Sequence, residues 1–228
     1  MAAASTHMKN WIRDNSLTIA LLLLFAASLT GQVFAGWAQE NQTLAEHDQA
    51  PLTLLGFLTS GEFLSALFEN WESEFLQMWA YVTLTAYLFQ RGSPESKDPD
   101  SPSPQDRDPA LDSDKPDAPG PVRKGGLIAR LYAHSLSLTL MALFIASFLL
   151  HWVNSARRRA QEAAEHGDPP PTLIEHLTAP QFWFESFQNW QSEFLSTAML
   201  VVLAIWLRER GSPESKPVSA PHSQTGSH

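Results

Sequence analysis

Paired acidic side chains at the start of two apolar segments are the residues of this sequence most able to do chemistry. Glu74 and Glu193 each open such a segment, and an asparagine precedes each by four residues, Asn70 and Asn189. A carboxylate beside an amide at the mouth of a membrane-spanning helix can bind a proton or a cation. An acidic residue near a helix N-terminus can also simply interact with the helix dipole. The sequence favours this structural role and leaves the ion site open.

Two histidines in polar loops are weaker candidates for metal ligands. Glu46-His47 and Glu165-His166 combine carboxylate and imidazole, which suit zinc. Their spacing matches no zinc motif, and adjacent residues on a helix point apart. We therefore predict no metal at His47 or His166.

Polar residues inside two apolar segments are candidates for contacts between helices. Gln32 and its counterpart His151 lie near one end of their segments, and Ser28 and Ser147 lie one turn earlier. Such side chains hydrogen-bond across helices in membranes. A histidine there can also titrate near neutral pH. Interhelical contact is the favoured interpretation.

Several classes of chemistry have no support in the sequence. There is no cysteine, so disulfides and thiolate sites are excluded. The net charge of -9 argues against binding nucleic acid. No nucleophile elbow, phosphate-binding loop or HExxH motif occurs. We expect a protein that is not an enzyme and needs no cofactor.

Four apolar segments predict membrane-spanning helices. Residues 16–36 and 135–154 form long uncharged runs, each sufficient for a hydrocarbon core of about 30 Å. Residues 72–90 and 191–208 contain shorter apolar runs. They reach full length if Trp71 and Trp190 lie at the headgroups as interfacial anchors.

The distribution of basic residues predicts the orientation. All but three of the 15 Lys and Arg residues lie before the first segment, between the second and third, or at the end of the fourth and beyond it. The exceptions are Arg157, Arg158 and Arg159. Because positive charges concentrate in the cytoplasm, both termini and the central linker are predicted to be cytoplasmic.

The two halves of the sequence repeat each other at a constant offset. Asn-Trp-Glu-Ser-Glu-Phe-Leu at 70–76 reappears 119 positions later as Asn-Trp-Gln-Ser-Glu-Phe-Leu at 189–195. Arg-Gly-Ser-Pro-Glu-Ser-Lys at 91–97 reappears unchanged at 210–216. Because each half has an even number of predicted spans, the repeat is parallel rather than inverted.

These observations predict an all-α fold, a transmembrane four-helix bundle of two parallel two-helix repeats. Amphipathic stretches, such as 52–68, are predicted to lie in the membrane interface. Pro- and Asp-rich segments are predicted to be disordered. In the Arg-Gly-Ser-Pro motif, glycine and proline are predicted to end the second helix of each half. The predicted parts are an N-terminal segment (1–14), repeat 1 (15–97), a disordered linker (98–126), repeat 2 (127–216) and a disordered tail (217–228).

Three motifs carry a resemblance to a known family. They are Glu-Asn-Trp-Glu-Ser-Glu-Phe-Leu-Gln-Met at 69–78, the two Arg-Gly-Ser-Pro-Glu-Ser-Lys motifs, and Gly-Gln-Val-Phe-Ala-Gly-Trp at 31–37. The sequence resembles an uncharacterised family of bacterial membrane proteins, a domain of unknown function. The resemblance implies a four-span protein of the bacterial inner membrane and brings no activity or substrate.

Function can be predicted only as a class. The first hypothesis is a non-enzymatic membrane protein with a scaffold, accessory or envelope-supporting role, whose partners are the lipid bilayer and other membrane proteins or further copies of the chain. The second is a small transporter or channel with a site near Glu74 and Glu193. The third is a membrane enzyme working at the outer interface.

Overall fold

The computed structural model describes residues 2–226, and within that range the secondary structure is helical, without strands. This confirms the all-α class. The α-helices are α1 (Ala2–Asp14), α2 (Ser16–Glu46), α3 (Leu54–Leu58), α4 (Gly61–Tyr87), α5 (Gly120–Lys124), α6 (Gly126–Ala133), α7 (Ser135–His166), α8 (Leu173–Leu177) and α9 (Pro180–Leu203).

Of the described helices, α2 and α7 are the two that are long and apolar enough to cross a membrane. They contain 31 and 32 residues. No residue of α2 is buried. In α7 one face is buried, and it carries Ser147, His151 and Asn154 at spacings of four and three residues, which place them on one side of a helix.

The helices α4 and α9 differ from the predicted second and fourth spans at both ends. They begin at Gly61 and Pro180 and end at Tyr87 and Leu203. The prediction that the Arg-Gly-Ser-Pro glycines end these helices is wrong, because Gly92 and Gly211 lie beyond them. Both glycines have a positive φ, 87° and 89°, and form turns in the following segments.

The predicted interfacial stretches are divided between short and long helices. A five-residue helix, α3 or α8, precedes each long one. The Thr53 side chain caps α3, and Thr172 with Glu175 forms a capping box at α8. Residues 61–68 then already belong to α4.

Short helices occupy the linker that was predicted to be disordered. They are the 3-10 helices Pro104–Asp106 and Pro109–Asp112, followed by α5. Proline in the first turn of each fixes φ in a helical value. The composition of the linker shows that it has few apolar residues, but it does not show that prolines are placed where they can start short helices. In the predicted tail, residues 217–226 form turns, and residues 227–228 lie outside the described range.

The chain divides into two compact units, Met1–Leu64 and Ser65–His228. In the first unit, the Trp37 indole donates to the Leu52 carbonyl at 2.8 Å, and the Phe57 ring packs beside Gly36. In the second unit, side chains connect the part of α4 after Ser65 with α7 and α9. The candidate site lies there.

Candidate functional site

A buried carboxylate–imidazole pair joins α4 to α7. Glu72 and His151 are both 0% exposed. The Nδ1 of His151 lies 2.8 Å from Oε2 of Glu72. The indole Nε1 of Trp190, on α9, donates to Oε1 of Glu72 at 2.9 Å. Both oxygens of one buried carboxylate therefore have partners, which come from two other helices.

Two further carboxylates lie next to this pair. Glu69 precedes Glu72 by one helical turn, and its Oε1 accepts a hydrogen bond from the Asn189 amide at 2.6 Å. Oε1 of Glu185 accepts a hydrogen bond from the Arg158 guanidinium at 2.8 Å. Three helices thus bring three carboxylates and one imidazole together.

Side-chain atoms of Glu69, Glu185 and His151 lie close enough together to surround one ion. One oxygen of Glu69, one of Glu185 and a ring nitrogen of His151 all lie within 4.8 Å of one another. Nε2 of His151 and Oε2 of Glu185 are buried and have no hydrogen-bond partner. These three side chains are the ones that could hold a cation. We call Glu69, Glu72, His151, Arg158 and Glu185 the ionisable cluster.

Aromatic rings fix the imidazole in place. The Phe182 ring is fully buried and lies 4.9 Å from the His151 ring, centroid to centroid. Phe148 packs edge-on against Phe182 at 5.7 Å. This packing limits rotation of the His151 ring and excludes water from one side of it.

A second histidine borders the same rings. His176 lies 5.5 Å from Phe182, and its Nε2 is 2.9 Å from the Ser155 hydroxyl. Burial lowers the pKa of His176 and outweighs the nearby charge of Glu185, which raises it, while the charge of Arg158 adds to the lowering. The neutral imidazole is therefore the favoured form, and it contributes no positive charge to the cluster.

The four residues predicted as an ion site are placed differently. Glu74 is exposed, whereas Glu193 is partly buried and interacts electrostatically with Glu74. The Asn70 amide donates to a carbonyl of its own helix. Asn189 is the one member of the four that contacts the ionisable cluster, through Glu69.

The other predicted residues fall into two groups. His151, Ser147 and Trp190 lie in the buried region of the second unit. By contrast, Ser28 is exposed and Gln32 partly so. Trp71 packs edge-on against Phe68. His47 and His166 are exposed, and Nδ1 of each lies 2.8 Å from the carbonyl oxygen of the residue four positions earlier.

Sequence analysis missed four of the five cluster residues, although the repeat contains a signal for them. At the offset of 119, every cluster residue corresponds to an uncharged one. The counterparts of Glu69, Glu72, His151, Arg158 and Glu185 are Gln188, Gln191, Gln32, Gln39 and Ala66. A search for charges that differ between the halves would have included this set, together with other positions such as Glu62 and its counterpart Gln181.

The comparison with protein families gives a match over nearly the whole chain. The family described as Domain of unknown function (DUF6766) matches residues 8–227. The chain belongs to this family. The DUF6766 match includes α4, α7 and α9, so the whole ionisable cluster lies within the family domain. Neither a curated protein nor a solved structure matches the chain.

Proposed function

We propose that this DUF6766 protein is a four-span integral membrane protein that acts by association with other membrane components rather than by catalysis. The observation that carries the proposal is the surface of α2. Its apolar stretch has no buried residue, and large side chains such as Leu21, Leu23 and Phe25 are about half exposed or more. Water-exposed apolar surface of this extent is unfavourable, whereas lipid or another protein can cover it.

The helices α4 and α9 supply the second and fourth spans in this proposal. They contain 27 and 24 residues. At 1.5 Å per residue, each exceeds a hydrocarbon core of about 30 Å. Their C-terminal halves carry exposed apolar side chains, including Leu84 and Met199. The polar N-terminal turns then lie toward the outer interface.

The distribution of basic residues and the family resemblance support the location in this proposal. We place the protein in the bacterial inner membrane, with both termini and the linker in the cytoplasm. The loops after α2 and α7 then face outward, and the ionisable cluster lies near the outer end of the spans.

Cysteine labelling tests this topology directly. Because the chain has no native cysteine, the single variants Ser103→Cys and Gln49→Cys each carry one reactive thiol. In intact cells, an impermeant maleimide is expected to label Gln49→Cys, and Ser103→Cys only after permeabilisation. Labelling of Ser103→Cys from outside would refute the proposed orientation. Labelling of both variants from the same side would refute the proposal that α4 crosses the membrane.

Association is favoured over transport by the surroundings of Glu74 and Glu193. Glu74 points to the surface instead of an enclosed space. A cavity of about 680 Å³ lies elsewhere, between the end of α4 and the linker, and is lined by residues such as Thr85, Lys97 and Asp106. Neither of the paired glutamates is among its lining residues.

Ion transport is the second candidate, favoured by the buried charges on the proposed spans. Ion flux into liposomes separates the two candidates. Association predicts equal flux from the wild type, the Glu74→Gln/Glu193→Gln double variant and protein-free vesicles. Flux by the wild type that either this double variant or Glu69→Gln abolishes would establish transport instead, and would show which carboxylates carry the ion.

A further inference from the structure

We propose that Glu69, His151 and Glu185 bind one divalent first-row transition-metal ion of the Zn²⁺ or Mn²⁺ class. One ligand atom from each residue lies within 4.8 Å of the other two. The site is separate from the association role and does not depend on it.

The state of the imidazole supports a ligand at this point. A carboxylate such as Glu72 only accepts hydrogen bonds, so the nitrogen facing it, Nδ1 of His151, carries the proton. Nε2 is then the nitrogen with a free lone pair. Like Oε2 of Glu185, this nitrogen is buried and accepts no hydrogen bond. Buried acceptors without a donor are costly, and a cation satisfies both.

The surrounding contacts resemble the support that metal ligands need. A histidine that binds a metal commonly donates its other nitrogen to a carboxylate, which orients the ring and raises its basicity. Glu72 provides this contact at 2.8 Å. Asn189 and Arg158 each hold one oxygen of Glu69 and Glu185. The second oxygen of each carboxylate is then left for the ion.

Charge favours a divalent ion. The ionisable cluster contains three carboxylates, Glu69, Glu72 and Glu185, and one guanidinium. That guanidinium, of Arg158, is 19% exposed and pairs with Glu185. Binding of a metal through Nε2 requires the neutral imidazole of His151, and the set then carries two excess negative charges. An ion of charge +2 balances them in surroundings where uncompensated charge is strongly unfavourable.

The ligand types select the class of ion. One imidazole with two carboxylates suits zinc, manganese or iron, whereas calcium prefers six to eight oxygens. Zinc bonds of about 2.0–2.1 Å place tetrahedral ligand atoms about 3.3 Å apart. The described separations, up to 4.8 Å, therefore require the carboxylates to move inward on binding.

The repeat indicates that this site is built once. Its ligands come from α4, α7 and α9, and the positions corresponding to them are Gln188, Gln32 and Ala66. None of these corresponding side chains is a carboxylate or an imidazole, so the same ligand set cannot form a second time at those positions.

Metal binding by the full-length, untagged protein tests the proposal. Protein in nanodiscs is stripped with chelator, then titrated with Zn²⁺ or Mn²⁺ against a fluorescent chelator, and bound metal per chain is measured by mass spectrometry. We expect one ion per chain. Loss of the supporting carboxylate in Glu72→Gln is expected to weaken binding about 10- to 100-fold. His151→Gln and Glu185→Gln, which remove ligands, are expected to weaken it by at least as much.

The chain offers a matched control for Glu72→Gln and another for His151→Gln. Glu74→Gln makes the same change on α4 at an exposed position, and His166→Gln does so on α7. Both are expected to bind like the wild type. Glu185→Gln, on a partly exposed side chain, keeps the test valid if His151→Gln does not fold. Absence of binding at about 10 µM free metal, or equal loss in the controls, would overturn the proposal.

Discussion

Replacing Glu72 with alanine is expected to lower the free energy of unfolding by about 3 kcal/mol. Glu72 is fully buried and accepts hydrogen bonds from His151 and Trp190. Its removal leaves both donors without a partner and opens a cavity among three helices. Glu72→Gln keeps the volume and one acceptor, so we expect a smaller loss, of about 1–2 kcal/mol.

Denaturant unfolding in detergent measures these losses, with tryptophan fluorescence as the signal. Glu74→Ala is the control, since that side chain is exposed on the same helix and its change should fall within about 0.5 kcal/mol. A double-mutant cycle with His151→Gln should show coupling of about 1–3 kcal/mol between the two residues. Equal losses in Glu72→Ala and Glu74→Ala, or additive effects in the cycle, would contradict the described pair.

The beginnings of the most apolar helices were predictable from the sequence. The segments predicted to begin at residues 16 and 135 start helices at Ser16 and Ser135. Their ends, at Glu46 and His166, extend beyond the apolar runs, because helical hydrogen bonding continues without apolar side chains. Hydropathy reports burial in lipid, and it does not report where a helix stops.

The candidate site was less predictable, for a physical reason. Glu74 and Glu193 attracted attention because both halves contain them at the same position. The ionisable cluster instead depends on tertiary contacts: Glu72 meets partners 79 and 118 positions away. One sequence gives no distance between such residues. The loss of charge at the matching positions, such as Gln191, includes the cluster but does not separate it from other positions that differ in charge.

The tail shows the same limit. Its composition predicted disorder, yet tail carbonyls accept hydrogen bonds from the ammonium of Lys216, the residue just before the tail, which is 1% exposed. The acceptors are Gly92 at 2.6 Å, His222 at 2.9 Å, Gln224 at 3.0 Å and Pro221 at 3.3 Å. Gly226 also donates to the Ser93 carbonyl at 2.9 Å. Hydrogen bonds hold this segment against residues 92 and 93, so counting apolar residues could not predict it.

Lys216→Met is therefore expected to release the tail. The variant retains the aliphatic volume but leaves four carbonyls without their donor, a loss of about 2 kcal/mol in the local opening free energy. Burial and the nearby charge of Arg208 lower the pKa of Lys216. This pKa shift describes only how easily the lysine amine loses its proton, and it does not predict the effect of replacing lysine with methionine. We expect the effect of the substitution to come from the loss of the hydrogen-bond donors.

Limited trypsin digestion measures the release at the Arg210–Gly211 bond. The Lys216–Pro217 bond resists trypsin, so the substitution removes no competing site. Cleavage is expected to be about 30-fold faster than in the wild type, because the rate follows the population of the open form. Lys97→Met is the matched control from the other repeat, where the ammonium contacts Ala86 and Asp106 instead. It should leave the Arg210 rate unchanged; equal acceleration in both variants would show that Lys216 does not hold the tail.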